Sequence, residues 1–160
     1  MIFVTVGTHH QPFKRMLDAV ATIEGAELVV QHGPGSPPPN ATVAEPFMPF
    51  DRMLHYYREA DAVITHAGVG SILCAVREGH TPLVVPRQHA LGEHVDDHQA
   101  ELTRALEARG SVVAVWDTGR LAEQLTELPP RRREVELAVP PLCGSVRAAL
   151  LGEPAQTKDA

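Results

Sequence analysis

The sequence predicts an α/β domain, a doubly wound and mostly parallel sheet with helices packed on it. Three observations predict this. Short apolar runs such as Ile2 to Val6 alternate with longer amphipathic stretches such as Pro12 to Ile23. Polar loops rich in Gly and His follow several of the runs, GTHHQP after the first and HAGVGS after the fourth. The length, 160 residues, suits about one domain, and no internal repeat divides it.

Taken in order, Ile2 to Val6 reads as a buried strand. Pro12 to Ile23 reads as a helix with Phe13, Met16, Leu17 and Val20 on one face and Pro12 in its first turn. Glu27 to Gln31 is a second strand, followed by the loop HGPGSPPPN, and Thr42 to Ala44 a short third. Phe50 to Glu59 is a helix, capped by the segment before Asp51. Ala62 to Thr65 is the fourth strand, and Ser71 to Glu78 a helix with Ser71 as its N-cap. Leu83 to Val85, a helix over Val95 to Ala108, Val112 to Val115 and a helix over Leu121 to Leu128 complete the alternation. The expected domain is residues 1–128, with a helical extension over 129–152 and a flexible tail over 153–160. The basic triplet Arg131 to Arg133 reads as a solvated helix surface.

Composition narrows the function. A net charge of −6 argues against nucleic acid as a partner, because that binding depends on neutralising phosphates with Lys and Arg. Aromatic residues are only 4%, too few for rows of rings that stack bases or sugars. Two cysteines, Cys74 and Cys143, make no disulfide framework and suit a reduced, cytoplasmic setting. No segment approaches the roughly 20 apolar residues that span a bilayer, and the start, MIFVTVGTHH, lacks the pattern of a secretory leader. If the protein works at a membrane, something else is expected to bring it there.

In open α/β sheets ligands sit beyond the carboxyl ends of the strands, where GTHHQP, HAGVGS and PRQHALGEHVDDHQ fall. Gly68 and Gly70 permit close approach to the backbone, and the helix behind them directs free N–H groups and a positive dipole end at the loop, a combination that receives phosphate. The same glycines would also serve a plain strand–helix turn. A dinucleotide fingerprint would need glycine at Leu73, and a P-loop would need Lys before Ser71; neither is present. The third loop packs His89, Glu93, His94, Asp96, Asp97, His98 and Gln99 into eleven residues. His94 and His98, at i, i+4, would share one helical face as metal ligands, but no HExxH pattern accompanies them. Hydrogen bonding to a polyhydroxylated ligand accounts better for the mixture, and neither a metal nor a cofactor is expected.

The segments MIFVTVGTHHQPFKRML, ADAVITHAGVGSILCAVREG and VVPRQHALGEHVDDHQAEL, in this order, resemble the C-terminal donor-binding half of GT-B glycosyltransferases, a Rossmann-like domain of the family 28 kind. More narrowly, they are similar to the catalytic subunits of two-part N-acetylglucosamine transferases of dolichol-linked sugar and exopolysaccharide synthesis. The resemblance covers roughly residues 1–115 and implies a UDP-linked sugar donor bound across the three loops. It places Gly7 and Thr8 in the first glycine loop, and His66, Gly68, Gly70 and Ser71 in the turn facing the donor phosphates. His94, Asp96, Asp97, His98 and Gln99 fall in the stretch that reaches the donor sugar. It implies inverting transfer to a lipid-linked acceptor held by a membrane-anchored partner subunit, since 160 residues supply one of the two domains such an enzyme needs. The base that takes the acceptor proton is not identified; His9, His10 or a residue of the partner are candidates.

One residue departs from the pattern. Where the family commonly has a Glu that holds the ribose and would complete a capping box with Ser71, this sequence has Cys74. Another residue then grips the ribose, or the donor differs, or the domain is a non-catalytic interaction module with a degenerate donor site.

Overall fold

The computed structural model describes residues 1–132. The expected extension over 129–152 and the tail over 153–160 therefore lie outside the described residues from position 133 onward.

The described residues form six strands and five α-helices, alternating except between β2 and β3: β1 (Ile2–Thr5), α1 (Lys14–Val20), β2 (Leu28–Gln31), β3 (Val43–Glu45), α2 (Phe50–Glu59), β4 (Ala62–His66), α3 (Val69–Arg77), β5 (Leu83–Val85), α4 (His98–Glu107), β6 (Val113–Ala114) and α5 (Leu121–Thr126). All pairings are parallel, in the order β3-β2-β1-β4-β5-β6. The chain fills one half of the sheet outward from β1 and then returns to fill the other half outward from β4. The order thus reverses between β1 and β4, and their carboxyl ends open a crevice between diverging connections.

β1, β2 and β5 are buried along their whole length, as expected of strands covered on both faces. Alternate residues face opposite layers. Ile2, Val4, Leu28, Val30 and Ile64 pack with Met16, Leu17 and Val20 of α1 and Leu121 of α5. Phe3, Val29 and Val63 pack with Tyr57 of α2 and Ala75 of α3, and Val84 with Ile72 and the α4 residues Leu102 and Leu106. Phe3, fully buried, lies edge-on to Tyr57 and stacked on Tyr56, with ring centroids 4.9 and 5.6 Å away.

The expected elements up to residue 128 are present, and three helix starts move for identifiable reasons. α1 begins at Lys14 rather than Pro12, because the Gln11 carbonyl accepts from the Arg87 guanidinium instead of entering a helix. α4 begins at His98 rather than Val95, because Asp96 and Asp97 spend their carboxylates on backbone N–H groups and turn the chain first. α3 begins two residues early, at Val69, since Ile72 N–H already bonds to Gly68 C=O at 3.0 Å. Beyond α5, Arg131 is not a freely solvated surface residue. Its guanidinium bonds the carbonyls of Glu78 (2.7 Å), Ala60 (3.5 Å) and Arg58, closing the C-terminal ends of α2 and α3.

Phe3 supplies the test of this packing. Phe3→Ala should cost about 3–5 kcal/mol in urea denaturation, and a loss below about 1 kcal/mol would contradict the two-tyrosine seat described here.

Candidate functional site

The floor of the crevice is a buried polar network at the ends of β1 and β2. The Thr5 hydroxyl donates to Gln31 Oε1 at 2.6 Å and accepts from the Gly7 N–H at 3.2 Å. Gln31 in turn donates to the carbonyls of Gly7 (3.0 Å) and Pro46 (2.9 Å). Both side chains are essentially inaccessible, so the first glycine loop hangs from strand ends that cannot shift without leaving buried groups unpaired. Gly7 has φ +77, a left-handed backbone that L side chains rarely adopt.

Across the strand switch, His66 ends β4 and lies between Gly7 and Gly68; a Cβ on either glycine would overlap its ring. Burial first, then the nearby Arg87 and His9, push its pKa down to about 4, against the opposing effect of a hydrogen bond to the Thr5 backbone carbonyl. The imidazole is therefore neutral at physiological pH.

α3 rises from this point with Gly68 as its N-cap, in extended backbone and without a capping side chain. This corrects the expected cap: Ser71 is the third residue of the helix. Its place is taken by a glycine because the His66 ring leaves no room for a side chain at 68. The Val69, Gly70 and Ser71 N–H groups find no acceptor among the described residues, and a Cβ at Gly70 would meet open space. The same shift puts Cys74 in the second turn of the helix. Cys74 packs on the Tyr57 and Ala75 cluster, and burial raises its thiol pKa. Beside it the buried Tyr57 hydroxyl, its pKa raised by burial, leans toward Ser71 without reaching hydrogen-bond geometry.

The loop after β5 forms the third wall. Arg87 is fully buried with its guanidinium 4.4 Å from the Phe13 ring centroid, donating to the carbonyls of Gln11 (3.1 Å) and Glu93 (3.3 Å). Arg15, 5.5 Å from the same ring, pairs with both carboxylate oxygens of Glu93 at 2.8 and 2.9 Å. Gln99 Oε1 accepts from the Arg87 N–H at 3.0 Å, and Asp97 from the His89 N–H at 3.1 Å. Asp96 accepts from the His98 N–H at 3.1 Å and meets His94 Nδ1 at 3.0 Å. Its carboxyl pKa is lowered; slight burial works the other way and is outweighed by the His98 N–H and by the neighbouring imidazoles. The His94 ring stands 5.2 Å from that of His9, and His9 4.4 Å from that of His10. Partial burial first, then Arg87, His10 and His94, lower the His9 pKa.

The expected residues thus divide. Gly7, His66, Gly68 and the α3 start with Gly70 and Ser71 meet at the strand switch. Thr8 is exposed at its rim. His94 stands against His9 on the first loop with Asp96 bonded to it, whereas His98 is exposed and Asp97 and Gln99 brace the loop itself. Cys74 turns away toward α2. His94 precedes α4, so the shared helical face that would have made a metal pair with His98 does not exist, and among the described residues no three His, Cys, Asp or Glu side chains converge as ligands. Residues that sequence reasoning passed over are Thr5, Gln31, Arg15 and Arg87. The available signal was a polar residue closing an apolar strand, as in LVVQ, and a charge directly after one, as in LVVPR.

A parallel sheet with its strand reversal beneath glycine loops and an open helix start defines a domain of the doubly wound class. The chain belongs to the family described as Glycosyltransferase family 28 C-terminal domain, whose model matches residues 1–137. It is 31% identical over 134 residues to the UDP-N-acetylglucosamine–N-acetylmuramyl-(pentapeptide) pyrophosphoryl-undecaprenol N-acetylglucosamine transferase of Idiomarina loihiensis, a match covering 74% of this chain and 36% of that protein. It is 38% identical over 84 residues to the UDP-N-acetylglucosamine transferase subunit ALG13 of Eremothecium gossypii, covering 47% of this chain and 39% of that one. The chain therefore spans little more than a third of either relative. Among solved structures, the glycosyltransferase SnogD from Streptomyces nogalater matches with TM-score 0.47 and 26% identity, over 79% of this chain and 32% of that chain.

Two outcomes check the seat of His66. Gly68 has φ −76 and ψ 127, which alanine tolerates, so Gly68→Ala should destabilise only through the His66 ring, by about 1–3 kcal/mol. The loss should disappear in a His66→Ala background, and additive losses in that double-mutant cycle would refute the contact. The second concerns pH. With His66 near 4 when folded and 6.5 when unfolded, the unfolded chain takes up this proton first as pH falls. The contribution is full above about 6.5 and is lost toward about 4. Urea midpoints of wild type, compared with His66→Gln, should show this extra rise with pH across that window.

Proposed function

We propose that this domain binds a nucleotide-diphosphate sugar, UDP-linked, and serves as the donor-binding part of a glycosyltransferase. The supporting observation is the α3 start: three unclaimed N–H groups, with open space at Gly70, facing the strand switch in a domain of family 28. In this reading Gly7, Thr8, Gly68, Gly70 and Ser71 line the diphosphate, with neutral His66 setting the distance between the two loops. The β5–α4 loop, with His94, Asp96, Asp97, His98 and Gln99, surrounds the sugar. The N–H groups and helix dipole then stabilise the diphosphate as it departs, and a single displacement inverts the anomeric carbon.

Both relatives are named as N-acetylglucosamine transferases, one acting on an undecaprenol-linked sugar and one as a subunit, and this supports UDP-N-acetylglucosamine as donor and a lipid-linked acceptor. By the same token the acceptor lies on a separate, membrane-associated subunit, and this chain works on the cytoplasmic side. Among the described residues no helix is long and apolar enough to cross a membrane. The unit comprising 1–128 carries the donor site in this proposal, with the later residues as an extension.

One observation favours a second reading, a non-catalytic module: Cys74 is turned into the α2 core, so position 74 presents no carboxylate to a ribose. Calorimetry separates the two. UDP and UDP-N-acetylglucosamine should bind the wild type saturably, with the sugar form weakened several-fold by His98→Ala. Cys74→Glu should then change affinity by less than about tenfold, or 1.4 kcal/mol. No binding by wild type at millimolar ligand, together with binding restored in Cys74→Glu, would instead establish the degenerate module.

A further inference from the structure

We propose that His94, oriented by Asp96, is the general base of the transfer, with His9 opposite it as a hydrogen-bond donor. The assignment rests on the donor-site reading above, and the argument is one of proton placement. His94 Nδ1 lies 3.0 Å from Asp96 Oδ1. A carboxylate has no proton to give, so Nδ1 carries it and Nε2 is left as a free acceptor. The Asp96 N–H also approaches Nδ1, at 3.4 Å, but that contact is too long to compete with the charged one. Asp96 is itself held in place by the first N–H of α4, through the 3.1 Å bond from His98. The base is thus fixed by a positioning residue that is fixed by a helix start.

His9 has the opposite polarity. Its Nδ1 accepts the Gln11 N–H at 3.2 Å, so the neutral ring carries its proton on Nε2. Two imidazoles 5.2 Å apart, on the loops after β1 and β5, therefore offer one acceptor and one donor at the crevice rim. That pair suits a hydroxyl group, which can give its proton to one and accept from the other. His9 is excluded as the base by the same bond, because its only free nitrogen is protonated.

The step balances as follows. The acceptor O–H passes its proton to His94 Nε2 as the oxygen forms a bond to the anomeric carbon. The bond from that carbon to the diphosphate oxygen breaks, and its electron pair leaves with the nucleoside diphosphate. His94 afterwards releases the proton to solvent. Water can stand in for the acceptor, giving the free sugar and the nucleoside diphosphate, which allows a test on this chain alone.

The test has three readouts on the full chain. Side-chain 15N–1H correlation spectra should show His94 protonated on Nδ1 and His9 on Nε2, and Asp96→Asn should remove the His94 preference while leaving His9 unchanged. Calorimetry gives the affinity for UDP-N-acetylglucosamine, and phosphorus NMR the rate of UDP release into water. His94→Gln should slow UDP release by about 100-fold or more, a loss much larger than any it causes in donor affinity. Unchanged release overturns the proposal, as does an equal loss of affinity and rate, which would make His94 a binding residue. Donor binding without UDP release by wild type also overturns it, since a base complete on this chain would activate water. Absence of donor binding sinks the donor-site reading and the base assignment with it, whereas His94 protonated on Nε2 in a protein that binds donor overturns the base assignment alone.

Discussion

The fit of one imidazole between two α-carbons that carry only hydrogen controls the geometry of this molecule. His66 bridges the gap where the sheet reverses its strand order, with Gly7 on one side and Gly68 on the other. Their lack of side chains lets the β1 and β4 connections approach to the thickness of a ring. Everything above the sheet is referenced to that spacing. Gly68, forced small, becomes the helix cap, and a cap without a side chain leaves the first N–H groups of α3 unclaimed. The openness of the helix start thus follows from packing below it rather than from any residue at the start itself.

The third wall is held to this floor by buried charge. Arg87 spends its guanidinium on two backbone carbonyls from different loops, and Phe13 between Arg15 and Arg87 fixes how far the loops stand apart. Loops that carry many polar groups normally move. Here the groups pointing down are consumed by bracing, through Glu93, Gln99 and Asp97, and only a few remain to point outward. The division of labour within GEHVDDHQ is sharp: adjacent residues serve the scaffold and the crevice in turn, so substitutions at neighbouring positions should differ in kind.

Much of the fold was legible because burial on both faces leaves little freedom in strand composition: IFVT, LVVQ and LVV can hardly be anything else in this context. The boundaries that moved did so where a side chain and a backbone group trade partners over long sequence distances. Nothing in the sequence near Gln11 announces that Arg87 will take its carbonyl, 76 residues away. The glycine turn was legible as a place, yet its cap was assigned to Ser71 because propensity favours serine, while the actual constraint was the ring of His66. Gln31 and Arg87 were illegible for the same reason: each looks like the polar end of a strand until the sheet order brings three loops together. The roles of His94 and His9 required proton positions, which only distances between atoms supply.

The strand order also bears on how the chain reaches this structure. β1 is central, and its partners begin 26 and 60 residues downstream, at Leu28 and Ala62. One edge of the central strand therefore stays unpaired until β4 is available, with loop closure opposing the pairing throughout. Half a sheet made of β1, β2 and β3 would expose the β1 edge where β4 belongs, an invitation to pair with another chain. The crevice needs β1 and β4 together, since its two sides lie on strands from different halves of the sheet. A site built at the seam of two halves makes complete folding a precondition of binding.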